Sequence, residues 1–223
     1  GLRHRLGGSV FAQVHGELGD ECPDLDKPAR LVSFAAALCT LRDAGHVLAY
    51  HDVSDGGLFA TLAEMAFAGH CGLDVNLPGK EGSAVEQLFA EEPGVVLQVR
   101  AAALDALQVT WRLHGLEHCV REIGAPAVDM RVRIAVGEAA LDISWRELRE
   151  AWSRTSCEMR RLRDEPTCAD EEFAASCDET DPGLGVARSF DSDNGVAAPY
   201  IARGARPRAA VLREQGVNSE VEM

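Results

Sequence analysis

Ala49-Tyr50-His51-Asp52-Val53-Ser54-Asp55-Gly56-Gly57-Leu58, continued by Phe59-Ala60-Thr61-Leu62-Ala63-Glu64-Met65-Ala66-Phe67-Ala68-Gly69, is the stretch that decides how this chain is read. It reads as a strand, a polar turn and a helix. Val47 to Tyr50 is a short apolar run of the buried-strand type. Leu58, Phe59, Leu62, Met65 and Ala66 then share one helical face, and Gly69 suits the position just past a helix end. Between them lie Asp52, Ser54, Asp55 and two glycines. Glycines let backbone come close to a ligand, and a helix N-terminus favours anions through its free N–H groups and dipole. A carboxylate at a strand end, beside a hydroxyl and a glycine turn, has the makings of a Mg²⁺–phosphate cradle. The same residues admit a plainer role, with Ser54 or Asp55 capping the helix and Asp52 solvated. No Lys-Ser/Thr follows the glycines, so this is not a phosphate-loop pattern, and spacing alone leaves both roles open.

Outward from this stretch, strand and helix signals alternate. On its N-terminal side, Leu6 to Ser9 is a turn opening a helix with Val10, Phe11, Val14 and Leu18. After a loop over 19–28, Leu31, Val32, Ala35, Leu38 and Leu41 mark a second helix closed by Gly45. On its C-terminal side, 72–77 alternates as a half-buried strand, 83–90 is a short helix, 94–99 an apolar strand and 101–114 a helix. Two further strands are expected at 118–123 and 131–136, the second pairing with 139–143 across Gly137-Glu138. Ser144 and Glu147 form a capping box for a helix carrying Trp145, Leu148, Trp152, Met159 and Leu162. Pro166 to Asp193 reads as loop, and 208–213 as a lone strand. The expected fold is α/β (α+β): a two-layer sandwich of a mixed β-sheet with helices on one face. The expected divisions are a domain over 1–163, an acidic connector over 164–205, and the opening strand and loop of another domain over 206–223.

Charge and cysteine usage narrow the function classes. The formal net charge of -14 argues against nucleic acid, whose phosphates need a basic face. Ten acids and one base (Arg188) lie between Asp164 and Asp193, so most of that charge belongs to one segment. No run approaches the length of apolar sequence that spans a bilayer, and no leader pattern opens the chain, so the expected setting is the cytoplasm, away from membranes. Seven scattered cysteines suggest reduced thiols, used mainly as small buried groups. His70-Cys71 and His118-Cys119 lack the paired spacing of a zinc site.

Two stretches together carry a family resemblance. Tyr50 to Leu58, continuing from Ala60 to Gly72, resembles the second aminoimidazole-ribonucleotide-synthetase-like half of large, single-chain phosphoribosylformylglycinamidine synthase. Gly204-Ala205-Arg206-Pro207-Arg208-Ala209-Ala210-Val211-Leu212-Arg213-Glu214-Gln215-Gly216-Val217-Asn218, running on to Met223, resembles the opening of that enzyme's glutaminase domain. Met159 to Asp164, Asp181-Pro182-Gly183-Leu184 and Ala197 to Ile201 are similar to its linker. The Asp-x-Ser-Asp-Gly-Gly turn is shared by several ATP-using relatives, among them selenophosphate- and thiamin-phosphate-kinase-like enzymes, whereas its combination with the glutaminase opening is specific.

The resemblance implies the C-terminal-domain fold of aminoimidazole-ribonucleotide synthetase. It also implies a part in the ATP-dependent conversion of formylglycinamide ribonucleotide and glutamine to formylglycinamidine ribonucleotide. Asp52 corresponds to a Mg²⁺ ligand and Ser54 to a nucleotide-contacting residue, at an ATP/ADP site that holds nucleotide without turning it over. The remaining ligands, and the glutaminase Cys on its strand–helix elbow, are expected in other domains of the same full-length chain, which are this segment's partners. Leu88-Phe89-Ala90-Glu91-Glu92 stands where the active half has a substrate-contacting acidic motif, as a degenerate counterpart. Gln215 to Asn218 is expected to shape the glutamine site. No catalytic residue is assigned, and the chain alone is expected to be inactive. The alternative is a non-catalytic nucleotide-binding or interaction module of the same superfamily.

Overall fold

A computed structural model of the chain describes residues 3–19, 21–79, 82–191, 193, 195–204, 206, 208 and 210. The expectations placed on 211–223, and so the glutaminase opening and Gln215 to Asn218, lie outside the described residues.

Strict alternation builds the larger sheet. In β5 (Arg131–Val136), Val132, Ile134 and Val136 are buried, while Arg133 points the other way. β2 (Gly72–Leu77) does the same with Leu73, Val75 and Leu77. These two strands pair in parallel, β4 (Gly124–Ala127) pairs antiparallel with β2, and β6 (Ala139–Ser144) antiparallel with β5, giving the order β4-β2-β5-β6. One face of this mixed sheet is covered by α3 (Gly57–Gly69), α4 (Ala84–Phe89) and α6 (Trp145–Arg163). Leu62, Ala66, Leu88 and Trp145 close the core with the strand residues. On the opposite face Arg133 pairs with Asp74 and Asp129, and Arg131 with Asp142.

The α/β sandwich is thus as the sequence suggested, with one refinement: the strands divide between two sheets. β1 (Val47–Asp52) and β3 (Val95–Val99) form an antiparallel pair of their own, with Tyr50 opposite Leu97 and Asp52 opposite Val95. A two-stranded ribbon is marginal by itself. It is backed by α2 (Pro28–Asp43) and α5 (Leu104–Leu113), whose Ala37, Leu41, Leu107 and Trp111 form a second core with Leu116, against which Val47, Leu97 and Val99 pack.

Three local expectations change. The strand expected at 118–123 is a 3-10 turn at Glu117–Cys119, and the strand forms later, at β4. Val120 and Ile123 are an odd number of residues apart and so cannot share a strand face. Pro126 sits in β4 because that is an edge strand, where a missing N–H is tolerated. Gly69 lies inside α3, and His70 takes the left-handed position past its end (φ 46°), held by its ring against Trp145 and by Nε2, 2.9 Å from the Glu179 carbonyl. Finally, Pro166–Ser176 is a helix, α7, where loop was expected. Glu165 accepts from the Cys168 N–H at its start, Pro166 opens it, and Arg160–Glu172 and Arg161–Asp170 pairs tie it to α6. Its acids serve helix pairing as well as solvation.

α1 (Val10–Val14) is a single short helix capped by Ser9. One compact unit comprises Gly1–Asp181, past the expected boundary at 163. The second, Pro182–Met223, includes among its described residues the short helix α8 (Ala198–Ala202), with Phe190 and Tyr200 exposed.

Candidate functional site

β1 runs to Asp52, so the carboxylate stands at the strand's C-terminal end and is exposed, on the same strand face as Tyr50. Tyr50 donates to the Asp52 carboxylate. Partial burial of the ring, and then this hydrogen bond and the nearby negative charge, push the phenol up to about 12. The Asp52 carbonyl is used from below. The buried Thr61 hydroxyl lies 3.0 Å from it and 3.0 Å from the Gly57 carbonyl, and His51 Nδ1 lies 2.6 Å from it. His51 Nε2 is 2.8 Å from Glu64, whose other oxygen accepts from Trp152 Nε1 at 3.0 Å.

The turn is built on glycine. Gly56 and Gly57 have φ of 82° and 67°, left-handed values that a side chain resists. A Cβ at Gly57 would also lie 2.7 Å from the Leu88 carbonyl oxygen and 2.8 Å from Phe89 Cα, because the turn rests directly on that backbone. Gly57 N–H donates to the Ser54 carbonyl at 2.9 Å. Ser54 and Asp55 are exposed, and neither caps α3; its N-cap is Gly56. The capping role open to Ser54 and Asp55 from sequence is therefore not the one they have.

The anion position at the start of α3 is engaged by the chain itself. Glu91 Oε1 accepts from the Gly56 N–H at 2.9 Å and from the Val10 N–H, at the start of α1, also at 2.9 Å. The neighbouring Glu92 is buried and forms a two-pronged pair with Arg5, whose hydrogen bonds hold the Glu92 carboxyl below the ordinary glutamate range against the upward push of desolvation. Leu88 belongs to the core. The stretch 88–92 thus serves as the bed of the turn.

Among the described residues, no group of three or more His, Cys, Asp or Glu side chains is placed to hold a metal ion. A Mg²⁺ at this turn would take one carboxylate from Asp52. A single protein carboxylate is compatible with an ion that keeps most of its water shell. The cysteines are free; Cys157 and Cys177 are buried, but Cys22, Cys39, Cys119 and Cys168 are exposed, against the expectation of mainly buried thiols. His118 lies 3.4 Å from Arg30. Among the described residues no helix is long and apolar enough to cross a membrane. Tyr50 and Thr61 were not singled out from sequence, although their signals were there: i, i−2 spacing to Asp52 on one strand face, and a hydroxyl one helical turn after Gly57.

Comparison with known proteins gives a family match and a set of structural likenesses. Residues 1–134 match the family described as AIR synthase related protein, C-terminal domain. Thermotoga maritima PurL, solved with ATP, aligns at TM-score 0.48 and 15% identity, over 65% of this chain and 24% of that one. Phosphoribosylformylglycinamidine synthase II from the same organism aligns at 0.48 and 15%, over 56% and 22%. PurLQS from Thermotoga maritima aligns at 0.48 and 14%, over 55% and 22%. The chain therefore spans about a quarter of the length of these proteins.

Proposed function

We propose, since this chain belongs to the AIR synthase related protein C-terminal domain family, that it is the C-terminal part of an aminoimidazole-ribonucleotide-synthetase-like half of phosphoribosylformylglycinamidine synthase. In this reading the parent chain, a cytoplasmic ligase of purine biosynthesis, converts formylglycinamide ribonucleotide, glutamine and ATP to formylglycinamidine ribonucleotide. This segment contributes Asp52 to Mg²⁺ and Ser54 to nucleotide at a site completed by other domains, and a glutaminase domain follows it.

The observation that supports the reading is the exposed Asp52 carboxylate at the end of β1, beside an exposed Ser54 that has no helix-capping duty. Mg²⁺, when bound there, would offset the charge of nucleotide phosphate oxygens. Tyr50 orients the carboxylate, and Thr61 fixes the backbone under it. Glu91 and Glu92 are committed to Gly56, Val10 and Arg5. That commitment fits a site that retains a nucleotide without turning it over.

The test uses the full reading frame that contains this segment. It should form formylglycinamidine ribonucleotide from the three substrates with Mg²⁺, and Asp52→Asn should weaken its retention of bound nucleotide more than it slows product formation. Residues 1–223 alone should form no product and hydrolyse no glutamine. A full-length chain that forms no product, or a repurified 1–223 chain with glutaminase activity, overturns the reading.

A further inference from the structure

We propose that Glu91 is a positioning residue for the Asp52–Gly57 turn, and that its carboxylate takes the place of an external anion at the start of α3. One oxygen, Oε1, accepts from the first amide of α1 and from the N-cap amide of α3, each at 2.9 Å. These two amides come from segments far apart in sequence, and no other described side chain accepts from both. The bed beneath them is fixed. Gly57 lies on the Leu88–Phe89 backbone, the Phe89 ring stacks on Phe11 of α1 at 4.7 Å and meets Phe59 of α3 at 5.4 Å, and Glu92 is locked to Arg5. Glu91 is thus the side chain that joins this bed to the turn's own backbone, by charge-assisted bonds stronger than neutral ones.

The consequence is one of specificity. A carboxylate on the Gly56 amide puts a full negative charge where a phosphate oxygen would otherwise sit, and a second anion placed there meets like-charge repulsion at short range. Bare phosphate is therefore rejected at the Gly56 amide. A nucleotide at this turn has to be engaged from the Asp52 side, through a cation. This last step rests on the function proposed above; the positioning role does not.

The test is amide NMR on ¹⁵N-labelled protein with the Val10 and Gly56 resonances as probes. Glu91→Ala should shift both resonances together and speed their hydrogen exchange by about tenfold or more, the loss of roughly one such bond. Glu91→Gln, whose amide oxygen can still accept both bonds, should restore the wild-type pattern, a rescue that loss of packing alone would not give. Inorganic phosphate should leave the wild-type Gly56 resonance in place and move it in Glu91→Gln, where the charge is gone. If Glu91→Ala fails to fold, the wild-type and Glu91→Gln phosphate titrations still decide. A wild-type Gly56 amide that moves with phosphate overturns the proposal, as do a Glu91→Gln amide that ignores it and an Ala variant with both amides unmoved. Expected amide behaviour without any response to MgADP in the full-length chain counts against the nucleotide function alone.

Discussion

Arg5 and Glu92, 87 positions apart, form a buried two-pronged ion pair: Nε and Nη2 of the arginine donate to Oε1 and Oε2 of the glutamate at 2.7 and 2.8 Å. Both side chains are 6% exposed. The Arg5 backbone N–H adds a third bond to Oε1 at 3.1 Å. The pair joins the segment ahead of α1 to the bed on which the candidate site rests.

This pair gives stability a pH dependence of defined sign. Arg5 holds the Glu92 carboxyl below its unfolded-chain value, so its contribution is complete above about pH 4.5 and is lost as the pH falls through the lowered Glu92 value. Glu92→Gln should lower the melting temperature at neutral pH, because it leaves the buried guanidinium with only the half-exposed Asp26 carboxylate, 3.4 Å away, as counter-charge. It should also flatten the acid side of the curve. Thermal melts across the acid range check this, and a variant whose midpoint parallels the wild type at every pH would refute it.

Gly57→Ala should destabilise the unit by about 2 kcal/mol or more. The methyl group meets a left-handed backbone and, at 2.7 Å, the Leu88 carbonyl oxygen. Denaturant unfolding measures the loss.

Asp52→Asn should leave the fold within about 1 kcal/mol of wild type, since the side chain is exposed and the backbone contacts to Thr61 and His51 survive. Tyr50 should report the change more sharply. Its phenol, raised to about 12, should fall part of the way back, because burial, the larger cause, remains while the neighbouring charge is gone. Ultraviolet titration of the chain's two tyrosines reads this directly. An unchanged alkaline transition would mean that Asp52 does not face Tyr50.

Trypsin should cut first at Arg188. The described residues from 182 to 191 are exposed and carry neither helix nor strand, whereas Arg160, Arg161 and Arg163 lie on α6 beneath α7. Mass spectrometry of the first product should show a chain ending at 188. A product ending at 160, 161 or 163 would show that α7 does not protect its neighbour.

Much of the fold was legible because its signals are local. The alternation in 131–136, the Gly137-Glu138 turn, and the Ser144–Glu147 capping box each specify their element without help from distant residues. α7 was not, because a helix rich in Asp and Glu has a weak apolar face. Its docking depends on arginines of α6, and its start signal, Glu165 before Pro166, was masked by the surrounding charge. β4 was displaced from its expected place because an edge strand carrying Pro126 is recognised only by its pairing with β2.

The same line divides the candidate site. By itself the sequence determined that Asp52 ends a strand, that a glycine turn follows and that a helix begins there, since hydrophobic period and glycine conformation are properties of neighbouring residues. Only the tertiary structure decided what Glu91 and Glu92 do. Their roles come from Val10, Gly56 and Arg5, which reach them only once α1, the Asp52 turn and the 88–92 bed are packed together. A carboxylate's task is set by the donors brought to it, and those donors come from segments that the chain's order keeps far apart.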